Sequence, residues 1–224
     1  MQLSNREIQE FLFRYPKMNL LPITNGKVVF EGIFECIAQY KDLEELIISY
    51  ELRIEIPKEF PKILPKYFLK DSKVKQDIDL HLIGDNKEIC LGIELSLMIE
   101  LNKSKSFLVY TKNVLIPYLY GLTYKLKHGE FPFPEVDHGI KGKINEYKII
   151  LKLDSNYKVY NALRLLSMKP DFANFEKCPC GCSNPYLACT YRKTLEKYRY
   201  VATPSWFSEE AIKIFIEIMK NKVI

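Results

Sequence analysis

The spacing of apolar and polar residues changes along the chain and predicts a helix followed by strands. Over residues 4–15 the apolar positions recur at helical spacing, with Ser4 or Asn5 as a possible cap. Residues 27–40 are rich in β-forming side chains. Residues 48–56 alternate between apolar and polar, which is the pattern of a half-buried strand.

The pattern then becomes irregular. Three prolines spaced four residues apart, from Pro57 to Pro65, exclude both helix and central strand. A short strand is expected at 67–69, and residues 71–92 look irregular, with turn residues in their second half. Within the first strand, Gly32 predicts a β-bulge.

The second half of the chain has helical spacing. A long helix is expected over 106–127, kinked or divided at Pro117, and a second helical region covers 144–168 with a break near its middle. A last amphipathic segment closes the chain, with Ser208 as its possible cap. Because strands precede helices, the order predicts an α+β fold.

Composition narrows the class of protein. The chain has 224 residues, 47% apolar and 27% charged, which excludes a disordered or fibrous chain. The net charge of +5 is not gathered in a basic run, so nucleic acid is not an expected partner. No stretch has the roughly 20 apolar residues of a membrane span, and the N-terminus does not look like a signal peptide. We therefore expect a cytoplasmic protein with reduced thiols and no membrane partner.

Four of the six cysteines, Cys178, Cys180, Cys182 and Cys189, fall within twelve residues. Four thiolates suit a tetrahedral zinc ion, and in a reducing compartment we favour zinc over a redox or disulfide cluster. The run resembles the SEC-C motif, a small zinc module, but Thr190 stands where that motif has its fourth ligand. The simplest repair is that Cys182 supplies the fourth thiolate; a distant histidine is the alternative. With four ligands and no open position, the zinc is expected to be structural.

Cys90 lies apart from this cluster, in an apolar triplet where a cysteine is most often a small core residue. Its surroundings nevertheless follow a known order: an N-terminal helix, a meander, a proline run, DIDLHLIGDNKEICLGI, and helices. Over about residues 1–140 this order resembles the ubiquitin-conjugating (UBC) family. The matching positions are Pro57, Phe60, Pro61, Pro65, His81 and Ile89-Cys90-Leu91.

The resemblance implies a UBC-like conjugating domain over 1–168, followed over 169–224 by the zinc module and a C-terminal helix. It also implies that Cys90 is the nucleophile that carries an acyl group as a thioester. The family has an oxyanion-stabilising asparagine two residues after the loop histidine, where this chain has Ile83. Because an aliphatic side chain cannot donate a hydrogen bond, the donor must be a backbone amide or another side chain, with Asn86 the nearest.

The segment after Cys90 resembles prokaryotic UBC-like proteins, which carry two His-Gly pairs; here these begin at His128 and His138. His138 is a candidate proton acceptor for the incoming amine, with Asp137 as its natural orienting partner. A capping or core role is the alternative for His138 and is favoured for His128. His81 is expected to act through the shape of the cysteine loop.

The resemblance implies a transferase like the conjugating subunit of type II CBASS anti-phage operons, which joins the C-terminus of a cGAS-like nucleotidyltransferase to a target. An activating enzyme would then act before it. A bacterial ubiquitin-like conjugation operon, with a ubiquitin-like protein as the carried partner, is the alternative. A non-catalytic UBC-like docking module is a further reading. The least favoured is a zinc-dependent nucleic-acid binder, for which the only mixed basic and aromatic patches are 191–193 and 197–199.

Overall fold

The structure, a computed structural model, describes residues 3–104, 106–133 and 139–220. These residues form an α+β protein with one six-stranded antiparallel sheet and eight α-helices, which confirms the predicted fold class. The strands are β1 (Met18–Leu20), β2 (Val28–Ala38), β3 (Leu46–Ile56), β4 (Lys66–Leu69), β5 (Leu82–Ile83) and β6 (Glu88–Ile89). The helices are α1 (Asn5–Arg14), α2 (Glu94–Ser104), α3 (Phe107–His128), α4 (Gly139–Leu151), α5 (Asn156–Ser167), α6 (Pro170–Ala173), α7 (Arg192–Leu195) and α8 (Pro204–Lys220).

The sheet runs in the order β1-β2-β3-β4-β6-β5. Strands β2 and β3 pair without interruption over eleven residues, so the β-bulge predicted at Gly32 is wrong. Gly32 is needed for a different reason. A side chain there would place its Cβ only 2.4 Å from the carbonyl oxygen of Lys17, so the residue permits the close approach of the chain just before β1.

Local signals explain where the first and third helices begin and end. The Ser4 hydroxyl accepts from the Glu7 backbone N–H while the Glu7 carboxylate accepts from the Ser4 backbone, which forms a capping box. Helix α3 begins after Ser106, whose side chain caps it, and ends at Gly129 in the left-handed conformation. Pro117 lies inside α3, which remains one helix.

Two expectations about helices need correction. Helix α2 was not anticipated, because its apolar residues do not form a clear amphipathic stripe. The cap predicted at Ser208 is wrong because α8 already begins at Pro204, where the hydroxyl of Thr203 accepts from the backbone N–H of Trp206 at 3.2 Å.

The chain packs into two units. The sheet unit comprises Met1–Gly92 and Glu100–Glu135, and the helical unit comprises Ile93–Ile99 and Val136–Ile224. The expected boundary at 168/169 differs from this division, in which α4 and α5 pack with α8 in the helical unit.

Each unit has its own core. In the sheet unit, α1 and α3 cover the inner side of the sheet around Phe11, Phe30 and Phe107, whose rings contact one another. In the helical unit, α5 and α8 pack closely around apolar residues that include Leu163 and Phe207. None of the described helices combines the length and apolar character that crossing a bilayer requires.

Candidate active cysteine and candidate metal centre

Cys90 follows β6 directly and is the first residue outside the sheet at that end of the β5–β6 hairpin. Its backbone N–H donates to the carbonyl of His81 at 2.8 Å, which extends the hairpin ladder by one contact. The residue is half-buried, and Gly92 follows two residues later with a φ of +130°, a value that favours glycine. The backbone of Cys90 is therefore fixed by its hydrogen bond to His81, and the chain turns at Gly92.

His81 ends the short 3₁₀ turn Ile78–Leu80 in the left-handed conformation, with a φ of +55°. Its ring lies against Phe131, with 5.4 Å between the ring centroids. The ammonium of Lys125 lies over the ring of Phe131, 4.4 Å from its centroid. The same ammonium donates to the carbonyl of Asp79 at 2.8 Å. His81 is thus part of a packed corner beside Cys90.

Tyr118 is a functional candidate that sequence reasoning missed. It is buried on α3, and its hydroxyl donates to the carbonyl of Leu80 at 2.8 Å, which ties α3 to the turn before His81. Burial raises the pKa of Tyr118, and nearby Tyr50 and Cys90 raise it further. Tyr118 therefore stays a neutral hydrogen-bond donor near Cys90. No sequence signal marks it, because a tyrosine inside an apolar helix is usually a core residue.

At the position where the UBC resemblance implies an asparagine, the chain has Ile83, whose side chain cannot donate a hydrogen bond. Ile83 is exposed and pairs with Glu88 across the hairpin. Asn86 lies in the hairpin turn, with its side chain next to Gly84. Asn86 thus lies four residues before Cys90, at the opposite end of β6 from the thiol.

The histidines have separate surroundings. His138 lies outside the described residues, so its candidate role stays a prediction. The Nε2 of His128 donates to the Glu44 carboxylate at 2.6 Å, and its ring lies 4.2 Å from that of Tyr124. Lys127 also contacts Glu44, and hydrogen bonds from these two residues lower the pKa of the Glu44 carboxyl. His128 thus lies in a hydrogen-bonded cluster with Glu44 and Lys127.

Cys36 is the other isolated cysteine and lies on β2. Burial raises the pKa of the Cys36 thiol to about 11, and the charge of Arg14 reduces this effect only in part. Its thiolate is therefore scarce near neutral pH, which makes it a poor nucleophile. It provides an internal reference for Cys90.

The four C-terminal cysteines form a candidate metal centre. The Sγ atoms of Cys178, Cys180, Cys182 and Cys189 all lie within 4.8 Å of one another. Three of the separations are 3.3 Å (178 to 180), 3.6 Å (180 to 189) and 3.5 Å (182 to 189). A zinc ion with four sulfur ligands at about 2.3 Å requires separations of about 3.8 Å. The donor set therefore fits a metal ion of this kind, although the cluster alone does not identify the metal.

Backbone hydrogen bonds shape the loop that carries these thiols. The N–H of Cys178 donates to Asn184, the N–H of Gly181 donates back to Cys178, and the N–H of Cys189 donates to Tyr186. Gly181 has a φ of +92°, so the turn inside the cluster depends on a glycine. These hydrogen bonds and this turn bring the four thiols close together, although they come from both ends of the loop.

The thiols differ in exposure. Burial raises the pKa of Cys178, whereas the hydrogen bond from the backbone of Asn184 lowers that of the exposed Cys182 to about 7. The thiol of Cys182 lies with the other three thiols. This is the position expected if Cys182 is the fourth ligand in place of Thr190.

Arg199 holds the cysteine-rich segment against α5. Its buried guanidinium donates to the carbonyls of Leu165, Leu166 and Met168, which end α5. The same side chain is paired with Glu196, whose carboxylate also accepts from the buried hydroxyl of Tyr186. One arginine therefore satisfies the free carbonyls of a helix end and an acidic group at once.

Comparison of the chain with protein-family models, with curated proteins and with solved structures finds no match. The functional argument therefore depends on the residues and their geometry.

Proposed function

We propose that the chain is a UBC-like transferase that carries the C-terminus of a partner protein as a thioester on Cys90. The observation that carries this proposal is the position of Cys90 at the mouth of the β5–β6 hairpin, directly after the sheet and directly before the helices. The resemblance implies an N-terminal helix, a meander, a proline run, a histidine and cysteine segment, and helices, and the order of elements along the chain is compatible with this. The packed corner of His81 and Phe131 supports the loop on which the thiol lies.

In the first step, the Cys90 thiolate attacks the carbonyl carbon of a C-terminal carboxylate that a separate enzyme has activated. A C–S bond forms, the bond to the activating group breaks, and that group leaves with the electron pair. In the second step an acceptor amine attacks the thioester carbonyl and loses a proton to a base, for which His138 is the candidate, and the C–S bond breaks as the Cys90 thiolate leaves. The Tyr118 hydroxyl, held by Leu80, orders the chain next to Cys90 in both steps.

The cysteine cluster takes a structural role in this proposal, with zinc as the metal. The four thiolates Cys178, Cys180, Cys182 and Cys189 would hold it and leave no open position for a substrate. Bound zinc would supply cross-linking of an irregular segment, not chemistry.

The carried partner is proposed to be a cGAS-like nucleotidyltransferase in an anti-phage operon of the type II CBASS kind, in the bacterial cytoplasm. The alternative is a ubiquitin-like protein of a bacterial conjugation operon. Both would offer Cys90 an extended C-terminal tail after activation elsewhere. The two differ in the mass of the adduct, so one experiment distinguishes them.

The test is incubation of the chain with each candidate partner, ATP and the activating enzyme, followed by gels without and with reducing agent. We expect a shift of the partner's size that thiol removes. Cys90→Ala should abolish it, and Cys36→Ala should leave it intact, because the pKa of Cys36 is about 11. Cys90→Ser should trap an oxyester that survives thiol and whose mass identifies the cargo.

A docking module is the second candidate, and one observation favours it. The exposed Ile83, at the position where the resemblance implies an asparagine, cannot donate a hydrogen bond to the oxyanion of an amine attack. If the Cys90→Ala protein retains full activity in phage protection or conjugation assays, the chain acts by binding and the transferase proposal fails.

A further inference from the structure

Helix α8 has apolar residues on two neighbouring sides. One side, with Phe207, Ala211, Ile214 and Ile218, is buried in the core of the helical unit. The other side is exposed. Charged residues occupy the rest of the helix surface, so the exposed apolar residues form a distinct patch beside the buried side, of the kind that marks an interaction site.

The exposed side is a continuous surface that includes part of α5. Residues 212, 215, 216 and 219 follow the spacing i, i+3, i+4, i+7, which places them on one side of α8. The ring of Phe215 contacts Tyr160 at 5.3 Å between centroids, and Tyr160 contacts Tyr157 at 5.9 Å. We call this surface the α5–α8 face; it consists of Tyr157, Tyr160, Ile212, Phe215, Ile216 and Met219.

We infer that the α5–α8 face is the interface of a symmetric dimer, in which a second copy of this chain packs its own face antiparallel to the first. The charges beside the stripe favour this occupant. Glu209 and Lys220 are eleven residues apart, about three turns, and therefore lie on the same flank of α8. An antiparallel copy places Glu209 of one chain opposite Lys220 of the other, and two-fold symmetry makes the pair twice.

The positions of charge and apolar stripe agree. The midpoint between Glu209 and Lys220 falls between residues 214 and 215, and the stripe from Ile212 to Met219 is centred one residue later. The two-fold axis that pairs the charges thus also brings the apolar residues together. A parallel two-fold copy would instead place the two charged flanks on opposite sides of the helix pair, so that Glu209 and Lys220 of different chains would not meet.

The size of the face sets the expected strength. A helix of 17 residues is about 25 Å long, and two helices side by side cover a width of about 20 Å. Two such faces bury about 1,000 Å² together, which is near the lower limit of specific interfaces. The dimer should therefore depend on concentration, with a dissociation constant in the micromolar range.

The experiment is sedimentation velocity of the full chain from about 1 to 200 μM. We expect a monomer–dimer equilibrium within this range. Ile212→Glu should weaken it at least about 100-fold, because each dimer loses the apolar contact twice and gains two buried charges. The matched control is Ile149→Glu, which alters an equally aliphatic, exposed residue on α4 of the same unit and should leave the equilibrium within about threefold.

Charge exchange tests the antiparallel arrangement. Glu209→Lys alone and Lys220→Glu alone should each weaken the dimer about tenfold, and the double exchange should restore it to within about threefold. Circular dichroism of every variant checks that the fold is intact.

A monomer throughout the range would overturn the inference. So would a dimer that Ile212→Glu leaves unchanged, or a monomer that binds vesicles of anionic phospholipid through this face. The dimer does not depend on Cys90, so Cys90→Ala should associate like the wild type even if the thioester proposal fails.

Discussion

The centre of the sheet and the cysteine-rich segment, residues 174–203, are ordered by different means. Ten of the 22 residues of β2 and β3 are buried, against five of the 30 residues of the segment. The strands are stabilised by removal of apolar surface from water, which is distributed over many side chains. The segment has too little of this and depends on a few polar contacts, chiefly those of Arg199, and on the thiol cluster. We therefore expect single substitutions in the sheet to lower stability by amounts that follow the buried surface lost. Loss of one key contact in the cysteine-rich segment should unfold that segment as a whole.

Metal removal should give the largest effect. Structural zinc contributes on the order of 10 kcal/mol in zinc-finger peptides, which is comparable to the whole stability of a domain. We expect a strong chelator or Cys178→Ser to unfold the segment, so that trypsin cleaves rapidly at Lys177, Arg192 and Lys193. Cys36→Ser is the control and should stay protected. Absence of metal from the purified chain, or equal protection with and without it, would contradict the cluster's role.

A core truncation in the sheet unit should cost less but remain large. Phe107 is fully buried and its ring contacts those of Phe11, Phe30 and Phe60. Phe107→Ala should lower the free energy of unfolding by about 3–5 kcal/mol in urea titrations. The reference is Phe13→Ala, which alters a side chain that is 91% exposed and should stay within about 0.5 kcal/mol. Similar losses for both variants would mean that α3 is not held as described.

The buried carboxylate of the helical unit should give an intermediate, pH-dependent effect. Burial would raise the pKa of Glu210, but hydrogen bonds from Lys213 and Tyr147 and the charge of Lys143 outweigh it, so the pKa is lowered. Its contribution is therefore complete above the unfolded pKa, about 4.3, and is lost as the pH falls through the folded value. Glu210→Gln should flatten the acid limb of a stability–pH curve.

Tyr147→Phe supplies the neutral comparison for this group. It should cost about 1–3 kcal/mol, because Glu210 loses its hydroxyl donor. A Glu210→Gln curve with the wild-type acid slope would show that another group sets the acid limb.

The smallest effect should come from the exposed ion pairs of the sheet unit. Lys127 contacts Glu44 at 2.5 Å, with both side chains substantially exposed. Exposed pairs are screened by solvent, so Lys127→Ala should leave the melting temperature unchanged within error. A clear drop in the melting temperature would mean that the contacts of Lys127 and His128 with Glu44 contribute together to stability.

The features that could be predicted from the sequence are those that depend on residues close together in the chain. Alternation in β3 and the possible cap at Ser4 are local signals, and each predicted its element. The proximity of the four thiols was also predictable, since they lie within twelve residues. These features need no knowledge of distant contacts.

Other features depend on residues far apart in sequence. The β5–β6 hairpin has only two residues per strand, too few for a pattern. The bond from Tyr118 to Leu80 spans 38 residues, and the placement of α4 and α5 with α8 depends on which helix faces meet. The role of Gly32 was predicted wrongly because the group that requires a glycine there, the carbonyl of Lys17, is distant in sequence and lies just before β1.

The left-handed backbone at His81 determines which substitutions can report on its imidazole. At a φ of +55° an alanine adds backbone strain to the loss of the ring, whereas asparagine and glycine tolerate this conformation. A defect in His81→Ala would therefore combine two causes. His81→Asn keeps a polar side chain and a relaxed turn, and His81→Gly removes the side chain with no steric cost. A defect shared by all three variants would come from the ring and its contact with Phe131, and a defect confined to alanine would come from the backbone.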